Sequence, residues 1–140
     1  GEALGKIDGV TAMTDITGFG LLGHLIEMAE GSNCTAEINY AILPVADGVR
    51  EYLAQRIVPD ATYRNWNSYS TQTAFEKGVN VMEAFTLLPD PQTNGGLLIA
   101  VDVRAVDTVK NILKENGLVN FAEPVGVFTE RVEKTVFVKQ

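Results

Sequence analysis

The segment TDITGFGLLGHLIEMAEGS, residues 14–32, carries the most informative pattern in the chain. Its start overlaps VTAMTD, which predicts a strand over Val10–Asp15. Apolar side chains then recur at helical spacing, so we expect a well-buried helix over about residues 19–30. Gly18 and Gly20 lie where this helix should begin, although glycine lowers helix stability. Their presence there needs a reason other than helix formation.

Two interpretations of this turn remain open on spacing alone. In the first, the helix N-terminus attracts an anion, and the glycines let a phosphate approach the backbone. Thr17 and Gly18 would then lie near the phosphate, and Asp15 could hold a divalent cation bridging phosphates. In the second, Asp15 and Thr17 only cap the helix, and the glycines allow tight packing against a sheet. Caps are commoner than anion sites, so spacing alone favours the second interpretation.

The rest of the chain predicts an alternation of strands and helices. We expect further strands at residues 34–40, 97–101, 122–128 and 132–138, and further helices at residues 42–53, 79–88 and 103–113. The last two strands are expected to form a hairpin, and the apolar run LLIAV is expected to be a central strand covered on both faces. The polar, aperiodic stretch from residue 59 to 77 is expected to be a long loop or flap. Residues 1–140 should therefore form one α+β domain, a mixed β-sheet layered with helices.

Composition limits the classes of function. The net charge of −7 and the scattered Lys and Arg residues disfavour nucleic acid and anionic membranes as partners. No apolar run approaches the ~18 residues of a membrane span, and the N-terminus lacks a secretory pattern. One cysteine, Cys34, excludes an internal disulfide framework and is consistent with a reducing compartment, so we expect a cytoplasmic protein. Because the chain does not begin with Met, we expect it to be a piece of a longer protein.

Two residues are of types that often act in catalysis or bind metals, but structural roles are favoured for both. His24 is the only histidine, and no cysteine lies near it at the spacing of a zinc site. A surface or hydrogen-bonded structural position is favoured over catalysis, since a general base needs a partnered nucleophile. Cys34 has no activating neighbour, so we expect a buried, unreactive thiol.

Two polar segments are weaker candidates for binding. In DPQTNGG, residues Gln92, Thr93 and Asn94 could face a ligand, although a structural turn is favoured because prolines and glycines surround them. In RNWNSYS, Arg64 could bind an anion and Trp66 a ring, although exposed loops often hold such residues without a ligand.

Together, TDITGFGLLGHLIEMAEGS and LLPDPQTNGGLLIAV closely resemble the C-terminal domain of the selenophosphate synthetase (selenide, water dikinase) family. Its superfamily also includes aminoimidazole ribonucleotide synthetase, thiamine monophosphate kinase and a hydrogenase maturation factor. The resemblance extends through Arg64 and Asn65 to the final strands, and it implies a fold like the C-terminal domain of aminoimidazole ribonucleotide synthetase. Asn94 stands where the family more usually has serine, a change that keeps a small polar side chain.

The resemblance implies a specific chemistry. The family makes selenophosphate from selenide, ATP and water, with Mg²⁺, and releases AMP and phosphate. Its N-terminal domain supplies most nucleotide contacts, a catalytic Cys or selenocysteine, a catalytic Lys and the homodimer interface, and its C-terminal domain closes the nucleotide cleft. The family motif makes Asp15 a metal ligand that cooperates with carboxylates of the N-terminal domain. We therefore expect no catalytic residue in this chain and no activity of the chain alone.

Two alternatives remain open at this point. The chain could belong to a sibling ATP-dependent kinase or synthetase of the same superfamily, although the combination of TGFG with PQTNGG argues against that. It could also be a non-enzymatic binding module. A Gly-rich upstream loop with Cys and Lys, followed by paired aspartates, would favour the synthetase.

Overall fold

Six strands form two separate sheets in the computed structural model, which describes residues 1–140. The first sheet is a two-stranded antiparallel ribbon, and the second is a four-stranded mixed sheet with the order β3-β6-β2-β5. In the mixed sheet β2 and β3 are both parallel to β6, and β5 is antiparallel to β2. The strands are β1 (Val10–Asp15), β2 (Cys34–Asn39), β3 (Thr73–Phe75), β4 (Leu97–Val101), β5 (Gly126–Glu130) and β6 (Val136–Lys139), with β1 and β4 forming the ribbon.

Five α-helices and five short 3-10 turns connect these strands. The helices are α1 (Gly20–Gly31), α2 (Val49–Ala54), α3 (Asp60–Tyr69), α4 (Val81–Leu87) and α5 (Val106–Glu115). The 3-10 turns are Leu4–Lys6, Tyr40–Ile42, Ser70–Gln72, Val103–Ala105 and Val119–Phe121. None of the helices combines the length and the apolar character that crossing a membrane requires. The predicted α+β class is confirmed.

The main hydrophobic core lies between α1 and the mixed sheet. Four α1 residues, Leu22, Leu25, Ile26 and Ala29, are buried there, which confirms the predicted apolar face of this helix. They form one cluster with side chains from β2, β6, α4 and the segments that follow β2 and α4, namely Ala36, Ile38, Tyr40, Leu43, Ala84, Leu88, Val136 and Val138. Helix α1 is thus fixed on the sheet, and its N-terminus has a defined position.

The prediction of a loop over residues 59–77 is wrong, because this segment contains α3 and β3. Trp66 packs against Phe75 and Phe85, with ring centroids 5.9 and 6.0 Å away. Thr62 is fully buried although it is polar, since its hydroxyl donates to Asp90. Tertiary packing of a few side chains overrides the weak helix propensity of the Asn- and Ser-rich sequence.

The predicted C-terminal hairpin is also wrong, because β2 lies between β5 and β6. After β5 the chain crosses the end of β2: Val132 donates its N–H to the Thr35 hydroxyl (3.0 Å), and Ala36 donates to the Thr135 carbonyl (2.9 Å). These bonds hold the connecting segment on β2. Therefore β6 pairs on the opposite side of β2 and not with β5.

Two further expectations need correction. Strand β4 is not central, since it pairs only with β1 and most of its residues are only partly buried. The helix expected over residues 42–53 is reduced to α2, because Gly48 adopts a left-handed conformation (φ +80°) that interrupts a continuous helix. Pro44 consequently lies outside any helix.

Candidate functional site

Two loops that carry the sequence motifs lie side by side at one end of the ribbon. The first motif loop, residues 15–19, begins at the last residue of β1 and leads to α1, and the second motif loop, residues 88–96, connects α4 to β4. Antiparallel pairing places Asp15 opposite Leu97, so the two loops leave the ribbon at the same end. Segments about seventy residues apart in sequence therefore share one surface.

Backbone hydrogen bonds join the two motif loops directly. The Ile16 N–H donates to the Gly96 carbonyl (2.9 Å), and the Gly95 N–H donates to the Ile16 carbonyl (3.0 Å). One step further, the Gln92 N–H donates to the Thr17 carbonyl (3.0 Å). The ribbon pairing thus continues into the loops and fixes their relative position.

The surroundings of Gly20 explain why this position, one of the two glycines at the start of α1, is a glycine. Its φ is +66°, and a Cβ there would lie 2.6–2.8 Å from backbone atoms of Leu88, Pro89 and Asp90. The Leu22 N–H, in the first turn of α1, donates to the Leu88 carbonyl (2.9 Å). Gly20 therefore lets the second motif loop pack against the helix N-terminus, as the tight-packing interpretation of the glycines predicts.

Gly18 has different surroundings. It is exposed, and a Cβ on it would meet no atom within 4 Å. Packing within the chain therefore does not require glycine at this position. The open space beside Gly18 is available to a group from outside the chain, which the phosphate interpretation needs.

The interpretation of Asp15 and Thr17 as helix caps is wrong. The residue at the N-cap of α1 is Phe19, and no side chain donates or accepts a capping hydrogen bond there. Gly20 is left-handed (φ +66°), and the Thr17 hydroxyl lies against His24. Neither Asp15 nor Thr17 accepts a side-chain hydrogen bond from an N–H of the first turn of α1. Asp15 is exposed at the end of β1, and its carboxylate takes part in no hydrogen bond or ion pair within the chain.

His24 holds the first motif loop from inside. Its side chain is 6% exposed, and its Nε2 accepts the Thr17 N–H (3.0 Å) and lies 3.2 Å from the Thr17 hydroxyl. Because Nε2 is an acceptor, a neutral ring carries its proton on Nδ1. Nδ1 is buried with no hydrogen-bond partner, and the Glu27 carboxylate is 3.7 Å away. The expected hydrogen-bonded structural position of His24 is confirmed.

We expect His24→Phe to lower the free energy of unfolding by about 1–3 kcal/mol, because it leaves the Thr17 N–H without its acceptor. His24→Gln should lose less, since a Gln side-chain oxygen can occupy the position of Nε2. Urea unfolding followed by the fluorescence of Trp66, the only tryptophan, measures both values. Equal stability of wild type and His24→Phe would show that this hydrogen bond does not hold the loop.

Gln92 makes a hydrogen bond within the second motif loop. The half-buried Asp90 carboxylate accepts from Gln92 Nε2 (2.7 Å) and from the Thr62 hydroxyl (3.2 Å). Burial raises the pKa of Asp90 above its ordinary value, while these two hydrogen bonds act in the opposite direction. Gln92 is therefore a structural residue of the turn, whereas Thr93 and Asn94 are exposed.

No local sequence pattern marks Asn65, on α3, as a site residue. Its Nδ2 donates to the Gly18 carbonyl (2.8 Å) and to the Pro89 carbonyl (2.9 Å), so it contacts both motif loops. The neighbouring Trp66 is partly buried and packs against Phe75 within the chain, while Arg64 is exposed. Cys34 is half-buried instead of buried, and its thiol donates to the Ser32 carbonyl. The only sequence indication of Asn65 was its place within the family resemblance.

The chain offers only part of a metal site. No group of three or more His, Cys, Asp or Glu residues lies close enough to hold an ion. Mg²⁺ commonly takes one or two carboxylates together with phosphate oxygens and water. The exposed, unpaired carboxylate of Asp15 fits as one such ligand, and the remaining oxygens would come from outside this chain.

Comparisons with known proteins agree with the sequence resemblance. The family model described as AIR synthase related protein, C-terminal domain, matches residues 2–139. A selenide, water dikinase of Haemophilus influenzae is 48% identical over 118 residues, 84% of this chain and 33% of that protein. One of Pseudomonas putida is 44% identical over 136 residues, 97% of this chain and 38% of that protein.

Solved structures show the same fold. The crystal structure of E. coli HypE, a hydrogenase maturation protein, matches with a TM-score of 0.67 and 26% identity, covering 98% of this chain and 34% of that one. In sequence and in structure alike, the chain spans about a third of the proteins that it matches.

Proposed function

This chain belongs to the AIR synthase related protein C-terminal domain family, and on that premise we propose that residues 1–140 are the C-terminal domain of a selenophosphate synthetase. Identities of 44–51% with selenide, water dikinases support this choice within the family. The full enzyme would act in the cytoplasm as a homodimer and use ATP and water to convert selenide to selenophosphate, with AMP and phosphate as the other products.

One observation carries the proposal: the two segments behind the resemblance form a single surface, and Asp15 lies unpaired at its edge. Its carboxylate would supply one ligand to Mg²⁺. The ion, when bound, offsets phosphate charge during transfer. Of the two residues proposed near the phosphates, Gly18 has open space, whereas the N–H and hydroxyl of Thr17 already contact His24. We therefore place Gly18, more than Thr17, beside the phosphate chain.

The motif surface would close the nucleotide cleft against an N-terminal domain. That domain would provide the other metal carboxylates and the catalytic Cys or selenocysteine and Lys. This division agrees with a chain that spans about a third of the length of the selenide, water dikinase that it matches. The likeness to HypE favours a sibling enzyme as the second candidate, but its identity of 26% is well below that of the selenide, water dikinases.

We expect the isolated 140-residue chain to release no phosphate from ATP, with or without selenide, because one carboxylate cannot neutralise a triphosphate. The full-length protein should release phosphate only when selenide is present. A malachite green assay on both preparations, purified identically, measures this difference. Selenide-dependent release by the isolated chain would contradict the proposed division of function.

A further inference from the structure

The side chain of Asn65 is the only one that donates hydrogen bonds to backbone carbonyls of both motif loops. We infer that Asn65 is a positioning residue, which holds the first and second motif loops at the separation that the reaction requires. This inference rests on the proposed function, because it assigns Asn65 to the surface that closes on the nucleotide.

The chemistry of the contact fixes the orientation of the amide. Both neighbours, Gly18 and Pro89, present carbonyl oxygens, which accept hydrogen bonds and cannot donate them. Only the NH₂ group of Asn65 can face them, and its two N–H groups serve the two carbonyls at 2.8 and 2.9 Å. No other small side chain offers two donors from one atom in this geometry.

Asn65 is itself held firmly by its helix. Trp66, the next residue, is partly buried and packs against Phe75 and Phe85. One turn before Asn65, Thr62 is fully buried and donates to Asp90 of the second motif loop. The amide therefore connects both loops to a rigid part of the fold, which is the arrangement that keeps a site in its productive geometry.

The first motif loop needs such a restraint at Gly18. This glycine is exposed, and no atom outside the adjacent residues lies within 4 Å of the point where a Cβ would stand, so no side chain packs at that position. Glycine also loses more backbone conformational freedom on folding than any other residue. The bond from Asn65 to the Gly18 carbonyl limits this freedom three residues after Asp15. Loss of that bond should let the loop sample positions in which Asp15 and Gly18 no longer face the reacting phosphates together.

The test compares Asn65→Asp, Asn65→Ala and a control, Asn67→Asp, in the full-length protein. Asn65→Asp keeps the shape but turns a carboxylate toward two carbonyl oxygens, while Asn65→Ala only removes the donors. Asn67, on the same helix, is exposed and makes no side-chain hydrogen bond, so Asn67→Asp adds the same charge without touching the loops.

We expect kcat for selenide-dependent ATP turnover to fall by about 10-fold or more in Asn65→Asp, because small misplacements of reacting groups have large effects on rate. In Asn65→Ala, kcat should fall by about 3-fold or more for the same reason. The KM for ATP should change by less than about 2-fold, since most nucleotide contacts are proposed to lie on the other domain. Assays well below the melting temperature keep each variant folded, so a merely structural role would leave kcat unchanged. If Asn65→Asp does not fold, the kcat of Asn65→Ala tests the inference instead.

Hydrogen exchange of the same full-length proteins tests whether Asn65 holds the two motif loops, and it needs no activity measurement. Peptides covering residues 14–24 and 86–98 should exchange about 10-fold faster in Asn65→Asp than in Asn67→Asp. Unchanged kcat and unchanged exchange in both Asn65 variants would overturn the inference while leaving the proposed function intact. A wild-type protein without selenide-dependent turnover would overturn the proposed function, and the exchange data alone would then confirm or overturn the joining of the loops by Asn65.

Discussion

Asp15→Asn in the full-length protein is expected to reduce selenide-dependent ATP turnover by about 100-fold or more. A metal ion contributes several kcal/mol of charge stabilisation in phosphoryl transfer, and each 1.4 kcal/mol corresponds to about tenfold in rate. Asn keeps the shape of Asp but offers a neutral oxygen, so the ion should bind more weakly. The Mg²⁺ concentration for half-maximal rate should therefore rise.

This loss should occur without a change in stability, because Asp15 is exposed and its carboxylate makes no hydrogen bond or ion pair within the chain. The melting temperature of Asp15→Asn should match that of the wild type within about 2 °C. Asp107→Asn, which removes an exposed carboxylate from α5, is the matched control and should keep full activity. Normal turnover and normal Mg²⁺ dependence of Asp15→Asn would exclude Asp15 as a metal ligand.

The largest effect on stability is expected from Gly20→Ala, at about 3 kcal/mol of unfolding free energy. A left-handed backbone (φ +66°) is unfavourable for alanine by roughly 1–2 kcal/mol. The added Cβ would also lie 2.6–2.8 Å from the backbone of the second motif loop, and overpacking typically costs about 1–3 kcal/mol. Urea unfolding monitored through Trp66 measures the difference.

Gly18→Ala is the matched control for Gly20→Ala, two residues earlier in the same turn. No atom lies within 4 Å of the position of its Cβ, and its φ is not in the left-handed region. Its unfolding free energy should therefore differ from wild type by less than about 1 kcal/mol. Equal stability of Gly20→Ala and Gly18→Ala would show that the close approach of the second motif loop does not determine the choice of glycine.

The elements with strong local patterns were predictable from the sequence. Strand β1 and helix α1 have clear periodicity, and α1 (Gly20–Gly31) lies within about one residue of the expected range 19–30. The prediction of a loop over residues 59–77 was wrong because contacts with later parts of the chain stabilise helix α3: Trp66 packs against Phe85, and Thr62 donates to Asp90. Strand order was inaccessible for the same reason, since pairing of β6 with β2 depends on contacts across about a hundred residues.

The candidate site was predictable in its residue types but not in its geometry. The pattern placed Asp15 at the end of a predicted strand, where the structure has it, and the resemblance supplied the expectation of a metal ligand. Helix α1 begins with a left-handed Gly20 and without a side-chain cap. This could not be predicted, because the sequence alone does not give the φ of a residue. Asn65 lies 47 residues from Gly18, so only the fold brings its amide to the loop.

The most direct test of the central claim is the identity of the product made by the full-length protein. Phosphorus NMR of a reaction with ATP, Mg²⁺ and selenide should show a new phosphorus bonded to selenium, with AMP and phosphate accumulating together. Coupling to ⁷⁷Se in labelled selenide would identify the P–Se bond. Formation of ADP without any phosphorus–selenium product would contradict the assignment and favour a sibling kinase of the same superfamily.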